Sequence, residues 1–200
     1  RSESIFGGGG SDRIVGGGGS ELINGGAGVD TVVISGNQTS YSTTRASDNE
    51  LTLSSSSGER TVLQSIERIE FSNIKVAYDI DGNAGKVAKI LGAVFGPDSV
   101  SNAEYVGIGL DQLDGGMSYS DLAALAVSAT GKASSTDVCN LLWENVVGSH
   151  GASADIAPFK AMLDTGQLTV GQLTTLAADT SLNTDNIDLV GLALTGLEYV

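Results

Sequence analysis

The chain has 200 residues, room for one large or two small domains. Its 24 aspartates and glutamates against 10 lysines and arginines give a net charge of −14. That balance repels phosphate backbones and anionic lipid heads, arguing against nucleic-acid or membrane-surface partners, and it favours hard divalent cations. A single cysteine, Cys139, excludes an intramolecular disulfide.

The glycines are patterned. Twelve of the 28 fall between Gly7 and Gly36. Residues 7–15 (GGGGSDRIV), 16–24 (GGGGSELIN) and 25–33 (GGAGVDTVV) are three consecutive nine-residue units of the form G-G-x-G-x-D-x-U-x, where U is a large apolar residue. Asp12, Glu21 and Asp30 fill the acidic position, and Ile14, Ile23 and Val32 the apolar one. Extending the frame backwards places Glu3 and Ile5 at the same two positions, so the chain reads as beginning mid-repeat inside a longer protein. A flexible Gly/Ser linker does not hold acidic and apolar positions in nine-residue phase. Glycines permit turns with positive φ and leave carbonyls free to face an ion, while the last three residues of each unit make a minimal strand. One unit is half a coil, so units eighteen residues apart stack. This brings Asp12 and Asp30 together, with Glu21 on the opposite side. Two carboxylates so close need a divalent cation between them, and without calcium the segment is expected not to fold.

This pattern resembles the RTX nonapeptide family, whose fold is a calcium-loaded parallel β-roll. The resemblance implies ligands from Gly7 O, Gly9 O and Asp12 of one turn with Gly26 O, Gly28 O and Asp30 of the next. A weaker second site would use Gly16, Gly18 and Glu21. Glutamate there departs from the family's aspartate. The following frame, ISGNQTSYS, lacks the glycines, so the roll is expected to end near Ser35.

Residues 39–80 read as short strands at Tyr41–Arg45, Glu50–Ser54, Arg60–Leu63, Ile66–Phe71 and Lys75–Ile80. Ile69, Phe71, Ile74, Val76 and Tyr78 are the core candidates, and the block is expected to cap the roll's open edge. Asp79-Ile80-Asp81-Gly82-Asn83 superficially resembles an EF-hand start. The glycine and glutamate required at the sixth and twelfth positions are replaced by Ala84 and Ile90, so the segment reads as a turn that starts a helix.

From Asn83 onward the period is helical, beginning with the stripe Val87, Ile90, Leu91 and Val94. Ser101-x-x-Glu104, Ser118-x-x-Asp121, Ser134-x-x-Asp137 and Thr169-x-x-Gln172 predict helix starts, and six or seven helices are expected. Residues 91–130 align with 142–180. Leu113-Asp114-x-Gly116 matches Leu163-Asp164-x-Gly166, and Leu122-x-x-Leu125-Ala126 matches Leu173-x-x-Leu176-Ala177. A partly exposed groove is expected in the seam between the copies, near Trp143 and the His150 loop. This half resembles a bacterial helical domain of unassigned function that occurs after RTX repeats and in surface-layer-like proteins.

The expected organisation is β then α. Residues 1–36 form a short parallel calcium β-roll, 37–81 a β capping region, and 82–200 an all-α domain of two three-helix repeats, about 88–130 and 138–180. No catalytic constellation appears. His150 is the only histidine, Cys139 reads as a core thiol, and Trp143 as a core residue more than a sugar platform. The expected function is a non-catalytic, calcium-dependent folding and secretion module at the C-terminus of a secreted bacterial RTX protein. Its partners would be calcium, the type I secretion machinery and upstream domains of the same chain. The terminal Leu197-Glu198-Tyr199-Val200 resembles the C-termini of type I substrates. The alternative is a cell-surface adhesion or assembly module, in which the helical domain binds a glycan or a neighbouring subunit or self-associates.

Overall fold

The structure is a computed structural model describing residues 2–200. By internal contacts it divides into two units, residues 1–84 with 190–200, and residues 85–189.

The first unit is built from two five-stranded sheets. In one, β1 (Ser2–Gly9), β3 (Ser20–Ala27) and β7 (Arg60–Gln64) run parallel, followed by β6 (Glu50–Ser55) and β5 (Tyr41–Ser47). In the other, β2 (Arg13–Val15), β4 (Thr31–Val33) and β8 (Arg68–Glu70) run parallel, followed by β9 (Lys75–Ala77) and β10 (Leu197–Tyr199). Ser2 faces Ser20 and Arg13 faces Thr31, so both sheets advance by the eighteen residues of two repeat units.

The repeat's apolar position builds the core. Ile5, Ile23 and Leu63 stand in one register line, and Ile14, Val32 and Ile69 in another. Ile23, Val32 and Ile69 are fully buried, each contributing about 1.5–3 kcal/mol by leaving water. Leu51, Leu53, Phe71, Val76 and Tyr78 complete this core, and Ile74 packs on it partly buried.

Two expectations change. The parallel ladders do not end near Ser35, because β7 and β8 add a third coil without any glycine signature. The β5–β6 hairpin is an excursion between β4 and β7, and it hides the repeat by stretching the spacing from 18 residues to 40 in one sheet and 37 in the other. β1 and β3 also exceed the three-residue strands expected, running on through glycines, since Gly8 pairs with Gly26 and Gly9 with Ala27.

Residues 82–200 were expected to form one domain, yet Val190–Val200 groups with the sheets. β10 pairs antiparallel with β9, Leu197 opposite Ala77. The turn before it needs Gly196 (φ 72°), where a side chain would collide with Val76. Arg45 secures the same segment, donating to Ala193 O at 2.7 Å, Tyr78 O at 2.8 Å and Asp48 O at 2.7 Å.

The helices number eight among the described residues: α1 (Asn83–Phe95), α2 (Ala103–Asp114), α3 (Tyr119–Ala129), α4 (Ser135–Val147), α5 (Ser153–Asp164), α6 (Val170–Ala178), α7 (Ser181–Asn186) and α8 (Leu189–Thr195). Ser118, Ser134 and Thr169 cap α3, α4 and α6 as their spacing predicts, and Thr169 forms the full capping box with Gln172. At α2 the cap is Asn102, one residue later than expected, because its side chain reaches Tyr105 N–H. Gly116 and Gly166 take positive φ beyond α2 and α5.

The seam between the aligned halves is closed where α3 packs on α6. Gly171 lies so near Ser120 O that any side chain there would collide with it. The expected groove in the seam is replaced by an apolar groove inside each half.

Candidate metal site

Three turns lie along one side of the first unit. Gly10–Asp12 joins β1 to β2, Gly28–Asp30 joins β3 to β4, and Ser65–Glu67 joins β7 to β8. Each ends on an acid directly before a strand. The N–H of Asp12 donates to Asp30 Oδ1 at 2.8 Å, and the N–H of Asp30 donates to Glu67 Oε2 at 2.7 Å. Thr31 N–H donates to Asp12 O at 2.8 Å, and Arg68 N–H to Asp30 O at 3.0 Å. Each coil's carboxylate therefore caps the turn of the coil before it.

The second oxygens tell a different story. Asp12 Oδ2 and Asp30 Oδ2 are buried and have no hydrogen-bond partner. Leaving a buried acceptor unsatisfied costs about 1–3 kcal/mol, and more when it is charged. Both point at glycines: an added Cβ would stand 2.7 Å from Asp12 Oδ2 at Gly7 and 2.5 Å from Asp30 Oδ2 at Gly25. The carbonyls of Gly8 and Gly10 press on Gly26 and Gly28, where any side chain would strike them. Positive φ at Gly8, Gly10, Gly26 and Gly28 makes these approaches possible. The result is a cradle of backbone and carboxylate oxygens lined by glycines, which fits a hard cation such as calcium. Gly7 and Gly9 lie in the end of β1, and Gly26 and Gly28 in and just after β3, all within the two stacked coils. No three acidic, histidine or cysteine side chains converge into a metal cluster among the described residues, so a cation here depends on backbone oxygens.

On the opposite side, Gly16, Gly18 and Glu21 line one small cavity of about 50 Å³. Glu21 is buried, and its Oε1 accepts Gly17 N–H at 2.7 Å. Glu3 stands in register with Glu21 on the preceding coil, and Thr61 on the following one. On this side the register position of the third coil is a threonine, and the acid that lines the same cavity there is Glu59, just before β7.

Sequence reasoning missed Glu67, whereas Asp79 lies in the turn expected to start the first helix. Glu67 occupies the acidic position of the third coil. Burial pushes its carboxyl above the usual range, the Asp30 N–H opposes that, and the charges of Asp30 and Asp79 add to the rise. Glu67-Arg68-Ile69 copies the acid-x-apolar order of Asp30-Thr31-Val32, a signal obscured by the lost glycines. Asp79 is not an ion ligand in an EF-hand. It pairs with the buried Arg68, and its Oδ2 caps α1 by accepting Asn83 N–H at 2.8 Å and Ala84 N–H at 3.2 Å. Burial raises its carboxyl despite the opposing Arg68 charge.

The stacked acids and glycines set the comparison. Residues 1–32 match the RTX calcium-binding nonapeptide repeat in four copies. Residues 1–32 are RTX repeats. The match includes the residues before Gly7, where Glu3 and Ile5 stand at the acidic and apolar positions. No curated protein matches the sequence. Among solved structures the chain is similar to the extracellular lipase LipA from Serratia marcescens, at 20% identity and a TM-score of 0.28, over 38% of this chain and 15% of the lipase. The chain thus spans well under a fifth of that protein's length. Beyond the RTX repeats, no helix among the described residues is long and apolar enough to cross a membrane.

Proposed function

We propose that this chain is a calcium-dependent folding and secretion module of an extracellular RTX protein, with a non-catalytic role. The observation that carries this is the pair of buried, unpartnered oxygens, Asp12 Oδ2 and Asp30 Oδ2, on stacked glycine turns. In this reading residues 1–36 are a short parallel β-roll. The third coil, the β5–β6 hairpin and strands β9 and β10 cover its far end, sparing it an open edge. Residues 82–189 are a helical domain of two three-helix repeats, α1–α3 and α4–α6, followed by α7.

Asp12 and Asp30, with the carbonyls of Gly7, Gly9, Gly26 and Gly28, are the proposed ligands. Gly16, Gly18 and Glu21 form a weaker second set. Calcium, when bound, supplies the positive charge that two adjacent carboxylates lack. Without that charge, Asp12 and Asp30 repel one another and oppose the stacking of β1 on β3. Extracellular modules of this kind bind at roughly 10⁻⁴–10⁻³ M, so the coils would stay open in a low-calcium cytosol during type I export and close outside. The test is calcium titration of metal-free protein followed by circular dichroism. The β signal is expected to rise with calcium while the helical signal changes less. A fully formed β signal in excess chelator, unchanged by calcium, would refute the proposal.

A further inference from the structure

The helical unit carries two apolar grooves, and they are one groove built twice. The first is lined from α1, α2 and α3, the second from α4, α5 and α6. Leu91, Ile108 and Leu125 in the first correspond to Trp143, Phe159 and Leu176 in the second at offsets of 52, 51 and 51 residues, each within one or two of the 50 and 51 set by the alignment anchors. The volumes agree as well, about 190 and 180 Å³.

Both grooves are open at the lip. Ile108 is 51% exposed and Leu125 47%, and Phe159 is 38% and Leu176 58%. A half-exposed leucine kept at the same point of both copies is not explained by the core, to which α3 and α6 already give Leu122 and Leu173, buried one turn earlier in the same grooves. Cofactor and drug-sized pockets run about 300–1,000 Å³. Grooves of this smaller size suit single large side chains of a polypeptide, the anchors that dominate protein interfaces.

Charge selects among polypeptides. Residues 85–189 hold 12 acids and 4 bases, and two of those bases are already engaged, Lys89 with Asp179 and Lys160 with Asp164. An acidic peptide, an anionic lipid or a second copy of this −14 chain would meet repulsion. A segment with lysines and arginines beside its apolar residues would be steered in. We propose that the paired grooves are docking sites for the apolar anchor side chains of a basic amphipathic polypeptide segment. This is independent of the calcium reading.

Trp143 lines the second groove and is the only tryptophan, so it reports on occupancy directly. The full chain, in excess calcium, is titrated with an amphipathic Leu/Lys helical peptide, a Leu/Glu counterpart and a Ser/Lys peptide of equal charge but no apolar face. The Leu/Lys peptide is expected to shift Trp143 emission saturably with two sites per chain, and the other two to leave it unchanged. Leu176→Asp should abolish the emission shift with helicity intact. Leu125→Asp should keep the shift but halve the stoichiometry. No response to Leu/Lys, an equal response to Leu/Glu, or an equal response to Ser/Lys would each overturn the proposal. So would concentration-dependent sedimentation showing that a second copy covers the grooves.

Discussion

Asp30→Asn separates a ligand from a mere hydrogen-bond acceptor. Asp30 is fully buried, its Oδ1 accepts Asp12 N–H at 2.8 Å, and its Oδ2 has no partner. Asparagine has the same shape and retains a carbonyl oxygen for Asp12 N–H, so the stacking hydrogen bond survives. What it loses is the charge. In chelator the wild-type carboxylate is desolvated and faces the charges of Asp12 and Glu67, and a buried ion carries an effective penalty of several kcal/mol. A neutral amide removes that penalty of several kcal/mol and loses about 1–3 kcal/mol of it to an Nδ2 without a partner where Oδ2 stood, so Asp30→Asn should show at least as much β signal as wild type in chelator. In calcium the sign reverses. An interaction with a charged group is worth about 1.5–3 kcal/mol, equivalent to roughly a ten- to hundredfold rise in the calcium midpoint. The assay is a calcium titration followed by circular dichroism for Asp30→Asn and Asp30→Ala in parallel, with the alanine variant reporting the additional loss of the hydrogen bond. An asparagine variant with an unchanged calcium midpoint would show that Asp30 only caps the turn of the preceding coil.

Three other perturbations probe the scaffold. Gly26→Ala places a methyl group against Gly8 O at φ 102° and should destabilise the stacked coils by at least about 1–3 kcal/mol, read as a higher calcium midpoint; a variant titrating like wild type would mean the two turns do not stack as described. Arg45→Ala removes three donors from Ala193 O, Tyr78 O and Asp48 O, and urea denaturation should register about 2–4 kcal/mol of lost stability, with a change under about 0.5 kcal/mol ruling out the clamp. Gly171→Ala should lower helical stability by about 1–3 kcal/mol through its collision with Ser120 O, and an unaffected thermal midpoint in the helical signal would contradict the close α3–α6 packing.

Much of the first unit was legible because a nine-residue phase leaves little choice. Side chains alternate across a strand, so fixing Ile14 and Val32 inward also fixes the eighteen-residue register that sets Asp30 against Asp12. Helix starts were legible for a similar local reason: Ser118, Ser134 and Thr169 each need only reach an N–H three residues away. The third coil was not legible. Ser65 takes φ 48° in a turn without glycine, and an inserted hairpin breaks the phase, so Glu67 reaches Asp30 only through the strand pairing that tertiary structure supplies. The pairing of Arg68 with Asp79, eleven residues apart, was likewise not encoded by any local pattern. The return of Val190–Val200 to β9 depends on an antiparallel partner more than a hundred residues away, which no local pattern encodes. The duplicated helical halves were visible as an alignment, but whether their groove lay between them or within each was decided by how closely Gly171 lets α6 approach Ser120. Local periodicity thus set the repeat and its stacking, whereas contacts between distant segments set where the ladder of acids ends and where the apolar grooves open.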